Sequence, residues 1–169
     1  MEVRVTRNPV IGNLPPKDHS IEHFGSSNHD RVLNADTYFR ALEFINLMNL
    51  NMVEQRPSQV IKNAAYALQF ALKAALLYSG NAENWIERHI GRDLEAAMAL
   101  AASFGMPPPT PEFAGVLPEL SRYHAAGRNF GHARILSVMT SRHICENVLS
   151  LIEVVGEMIE IKTNDRADM

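Results

Sequence analysis

From position 34 onward the apolar residues recur at the three-to-four spacing of a helix, with no sustained strand-like alternation. In residues 36–54, Tyr38, Leu42, Ile45, Met48 and Met52 fall on one stripe. Arg56, Pro57 and Ser58 interrupt it, and proline suits the first turn of a new helix. Residues 60–79 predict the strongest helix of the chain. They are rich in Ala and Leu, and Gly80 supplies a natural stop. The apolar face there runs through Ile61, Ala65, Leu68, Leu72, Ala75 and Leu76, wide enough to be buried on more than one side.

Residues 81–89 read as a loop or short turn holding Trp85. A third helix is expected over 92–104, stopped by Gly105 and the prolines 107, 108 and 109. Thr110 then caps a helix with Pro111 and Glu112 behind it. That helix continues to about Ala126, with Pro118 a candidate kink and Gly127 its end. A connector over 128–136 leads to the last long helix, starting at about 137–141 and ending near Glu160. Its stripe is Ile144, Val148, Leu151, Val155 and Met158. Five helices with short connections predict an all-α, up-and-down bundle over residues 34–161. Residues 1–33, with their scattered Pro, Gly and Ser, read as an irregular N-terminal arm in which Val3 and Val5 allow at most a short strand. Residues 162–169 read as a frayed polar tail.

Composition narrows the class. A chain of 169 residues, 46% hydrophobic and 21% charged, is one ordinary globular domain. Its single cysteine, Cys145, excludes an intrachain disulfide and reads as a small buried hydrophobe. No apolar run approaches the ~20 residues of a spanning helix, and the first ten residues lack the apolar core of a secretory signal. A soluble, cytoplasmic protein with no membrane partner is expected.

Several chemistries drop out. There is no glycine-rich loop ending in Lys-Ser/Thr, no GxGxxG after a strand, no His-Glu-x-x-His and no paired cysteines. His19 and His23 have the spacing of a metal pair on a helix, but the arm around them, which also holds His29, does not read as helical. Glu153, Glu157 and Glu160 lack the Glu-x-x-His of a di-iron bundle and fit a solvated face. Neither metal nor cofactor is expected.

Charge is the informative departure. Residues 121–145 hold four Arg, three His and no Asp or Glu, a segment charge of +4 on a chain of net charge −3. Two explanations stand: an anion or phosphate site, or arginines bridged to acidic neighbours such as Glu119 and Glu153. Within the island, residues 127–132 place two glycines around Arg128, Asn129 and Phe130, followed by His132. Glycines let a backbone approach a ligand, a guanidinium matches phosphate, and an imidazole serves as acid or base near neutrality. Arg128 and His132, with Asn129 to orient them, are therefore the candidate catalytic set. A glycine-rich connector with a surface arginine is the bland alternative. Arg122, His124, Arg134, Arg142 and His143 are candidate phosphate-binding residues around that turn.

The order of features resembles the HEPN superfamily, small α-helical domains of bacterial toxins, anti-phage proteins and nucleotidyltransferase partners. Leu68 and Gln69, then Lys73 to Leu77 before Ser79 and Gly80, are similar to the family's first long helix. Gly91, Arg92, Asp93 and Leu94 resemble its Gly-His-Asp-Leu opening of the next helix, with Arg92 where His is usual. Arg92 joins the candidate phosphate-binding residues on that ground. Arg128, Asn129 and Phe130 sit where the family has an Arg-Asn or Arg-Tyr pair. The likeness spans roughly residues 36–160. Nuclease members separate Arg and His by four to six residues, whereas three lie between Arg128 and His132 here. The resemblance implies binding of RNA or a nucleotide, homodimerisation and, in an active member, metal-independent RNA cleavage. The competing readings are a non-catalytic interaction module, pairing with itself, a nucleotidyltransferase or a toxin-antitoxin partner, and a helical small-ligand sensor using Trp85 and the region of Tyr123 to Phe130.

Overall fold

The computed structural model describes residues 28–126, 135–136 and 138–165, and among them every regular element is a helix. The long helices are α1 (Asn28–Val53), α2 (Pro57–Tyr78), α5 (Pro111–Ala126) and α6 (Ser141–Asp165), with α3 (Glu83–His89) and α4 (Leu94–Ser103) shorter. The all-α bundle read from periodicity is therefore the observed fold.

α2 is the central pillar, packed by every other helix. Twelve of its 22 residues are buried, from Val60 and Ile61 through Leu68 and Leu72 to Leu76. Small residues make that possible: Ala64, Ala65, Ala67, Ala71, Ala74 and Ala75 let neighbouring helices close in around it. Phe113, Leu120, Ile144 and Val148 fill the space from α5 and α6, each at 0% exposure. Truncating such a side chain to Ala costs about 2–5 kcal/mol.

Two helix ends show how the chain turns. At the end of α2, Gly80 takes φ 92°. The N–H of Asn81 then reaches the carbonyl of Leu76 at 3.1 Å and that of Gly80 reaches Leu77 at 3.0 Å, the closure that Gly80 predicted. The end of α1 uses the same closure without a glycine. Gln55 takes φ 54° while Arg56 N–H donates to Asn51 at 2.9 Å.

Three details differ from the sequence reading. α1 begins at Asn28, inside the segment read as arm; residues 1–27 lie outside the described residues. Proline and glycine punctuate up to Gly25 and then stop, so nothing from Asn28 on opposes a helix. Residues 83–89, read as a loop or turn, form α3, making six helices among the described residues where five were expected. α6 runs on to Asp165, past the expected end at Glu160.

Candidate functional site

α3 exists because α2 holds it. Lys73, on the α2 surface, donates to Glu83 Oε1 at 2.7 Å and Glu87 Oε1 at 3.0 Å. The two carboxylates are one helical turn apart, so they face the ammonium only if residues 83–87 coil. Glu83 in the first turn and Arg88 and His89 in the last also suit the helix dipole. Burial, the largest single influence on Lys73, opposes its charge. The bonds and charges of Glu83 and Glu87 together outweigh it and hold the pKa above the usual 10.5.

The corner between α3 and α4 is fixed by polar contacts. Gln69 Nε2 donates to the Gly91 carbonyl at 3.3 Å. Asp93 caps α4 by accepting from Ala96 N–H at 2.9 Å, and Leu94 N–H donates to Ser121 Oγ on α5 at 2.9 Å. This corner, α2 and Arg40 of α1 border a cleft of about 460 Å³. Arg40, Tyr66, Phe70, Lys73, Glu87 and Arg92 line it. Phe44 stacks on Tyr66 at 4.9 Å and on Phe70 at 5.6 Å, with planes 14° and 7° apart. The Arg40 guanidinium lies 5.9 Å from the centre of the Phe70 ring.

The predicted Arg/His set meets the structure unevenly. Arg128, Asn129, His132 and Arg134 lie outside the described residues, as does the side chain of His124, which belongs to α5. Arg122 is on α5 next to Ser121, so the Leu94 bond brings the Arg92 corner to the same stretch of α5. Its Nη1 donates to Glu119 Oε1 at 3.1 Å, and its side chain is 71% exposed. The bridge to Glu119 weighed from sequence is thus formed, although so open a pair fixes little. Arg142 and His143 are both exposed in the first turn of α6, where Thr140 Oγ1 accepts from His143 N–H at 3.3 Å. That turn contains no acidic residue, so the Arg142 charge sits against the helix dipole. Arg92 lines the cleft.

Cys145 is buried, as expected. Burial first, and the charge of Glu146 second, push its thiol up to about 11. Among the described residues no group of three or more His, Cys, Asp or Glu is placed to hold a metal ion, and no helix is long and apolar enough to cross a membrane.

Sequence reasoning missed two features. The first is the cleft, whose Arg40, Phe70 and Arg92 come from three separate segments. The second is the outer face of α1, where Phe39, Leu47, Leu50 and Val53 are 60%, 45%, 53% and 82% exposed. The second left a signal in the sequence: apolar residues at helical spacing that do not belong to the Tyr38 to Met52 stripe. No family model, no curated protein and no solved structure matches this chain.

Proposed function

We propose that this protein is a non-catalytic helical interaction module that works as a homodimer, with α1 of one copy laid antiparallel on α1 of the other. The exposed apolar face of α1 carries the reading. Its opposite side supplies Ala41, Ile45 and Met48 to the core, so the helix is apolar on both sides, and among the described residues only one is covered. Such a face marks an interaction site.

Its pattern selects a second copy as the occupant. A two-fold interface is self-complementary, each residue meeting the one equally far beyond the axis. With the axis at Asn46, which is exposed, Phe39 meets Val53, and Leu50 meets the outer edge of Leu42, whose other side packs on the core. Apolar residues thus meet apolar ones on both sides of the axis. Covering side chains of this kind is worth about 1.5–3 kcal/mol each, set against an association cost of roughly 4–15 kcal/mol. The balance permits a dimer.

Sedimentation over a wide concentration range tests the reading. Wild type should show twice the chain mass, and Leu50→Glu the single mass with helical content unchanged. A wild-type chain that stays single, or a variant that still pairs, overturns it.

A second reading, binding of RNA or a nucleotide through residues 127–132 in the manner the HEPN resemblance implies, is supported by the bond from Leu94 to Ser121. It draws Arg92 toward the helix that leads into that turn. Arg128 would hold phosphate and His132 would move a proton, with Asn129 orienting them. On this reading RNA affinity falls steeply with salt, because each neutralised phosphate releases counterions. Arg128→Ala and His132→Ala should abolish any metal-independent cleavage while the chain stays folded. A flat salt response removes the reading.

A further inference from the structure

The cleft between α1, α2 and the corner joining α3 to α4 has no part in the pairing of α1, and its lining specifies a ligand of its own. We infer that it is a binding site for a small planar aromatic monocarboxylate.

Size comes first. About 460 Å³ lies within the roughly 300–1,000 Å³ range of sites that enclose small organic molecules. Shape comes next. Tyr66, Phe44 and Phe70 already form a run of near-parallel rings, and Arg40 lies over Phe70. The guanidinium, 5.9 Å from the Phe70 centre, adds a cation beside these rings, so a planar π system extends the stack where a puckered ring does not. Ile86, Ile90 and Leu94 make the adjoining wall apolar, which favours a hydrocarbon body over a sugar.

Charge then selects the polar group. Arg40, Lys73 and Arg92 line the cleft with Glu87 and Asp93, and Glu83 adjoins it through Lys73. Lys73 is committed to Glu83 and Glu87, and Asp93 to the α4 cap. Arg92 has no carboxylate partner among the described residues. Its fork matches a carboxylate through two parallel hydrogen bonds. A monoanion answers the one guanidinium of Arg92, whereas a phosphate dianion brings a second negative charge toward Glu87 and Asp93. The carboxylate is met by Arg92 at the rim, and the ring lies against Arg40 and Phe70.

Calorimetric titration of the full chain with naphthoate tests the assignment, against naphthyl phosphate, cyclohexanecarboxylate and neutral naphthalenemethanol. Naphthoate should bind saturably, with the phosphate and the puckered acid each about tenfold weaker or worse. Arg92→Gln should cost naphthoate about tenfold and leave naphthalenemethanol unchanged. Arg40→Ala should weaken both, with melting temperatures confirming that each variant is folded. Binding of naphthoate should persist in Leu50→Glu, which separates this site from the pairing of α1. Absence of saturable naphthoate binding, equal affinity for cyclohexanecarboxylate, tighter binding of naphthyl phosphate, or indifference to Arg92→Gln would each overturn the assignment.

Discussion

Tyr38 on α1 and Gly156 on α6 are fitted to each other. The Tyr38 hydroxyl donates to the Ile152 carbonyl at 3.2 Å, and a methyl group at position 156 would collide with that hydroxyl and press on the ring behind it. Glycine inside a helix gives up about 1 kcal/mol relative to alanine, so its presence here points to packing. Gly156→Ala should therefore destabilise the protein, because overpacking costs about 1–3 kcal/mol and exceeds the gain in helix propensity. Tyr38→Phe should cost about 0.5–1.5 kcal/mol through the lost hydrogen bond. In the double variant the smaller ring relieves part of the clash, so urea unfolding should show less loss than the two single losses added. Simple additivity would mean that the two residues do not share one space.

Gln55 makes the opposite prediction. Its φ of 54° is one that side chains resist, and its φ sign is that of Gly80, which ends α2 by the same closure. Gln55→Gly should raise stability by about 0.5–1 kcal/mol, the left-handed strain relieved exceeding the added freedom of the unfolded chain. A lower urea midpoint would contradict it.

Alkaline stability has two titrating contributors. Burial raises the Cys145 thiol from 9.0 to about 11, and the two glutamates hold Lys73 above 10.5. Both folded values lie above the unfolded ones, so both contributions are complete at neutral pH. The unfolded state loses its protons first, and stability falls as pH rises. The Cys145 contribution declines from pH 9.0 through about 11, and that of Lys73 only from 10.5 upward. Cys145→Ala should thus flatten the earlier decline and leave the later one. Glu83→Gln should remove part of the later one and cost about 1 kcal/mol at neutral pH. Glu87→Gln should cost less, its side chain being 63% exposed against 41% for Glu83. Native Cys145 should also react slowly with thiol reagents at pH 8 and quickly once unfolded.

The features legible from sequence are those that repeat within one segment. The stripe of α2 from Ile61 to Leu76 and that of α6 from Ile144 to Val155 are core in the structure, because both are long enough to display a period. α3 was not legible: seven residues show no period, and its coiling depends on Lys73 from another helix. The cleft was hidden for the same reason, since Arg40, Phe70 and Arg92 become neighbours only through tertiary packing. Arg92, singled out through the resemblance, lines this cleft. Of the Arg/His island, Arg122, Arg142 and His143 are placed on exposed helix turns, while Arg128 and His132 fall outside the described residues.

The pairing of α1 about Asn46 is tested most directly by Asn46→Cys, because only a residue at the two-fold axis meets its own copy. Cys145 is buried and does not compete for oxidation. Under mild oxidation the variant should form a covalent dimer rapidly, as the cysteine Cα atoms then lie within the roughly 4.4–6.8 Å that a disulfide spans. Phe39→Cys and Val53→Cys should each fail alone and cross-link when mixed. An Asn46→Cys chain that stays single, or a Phe39→Cys chain that links to itself, would contradict the account.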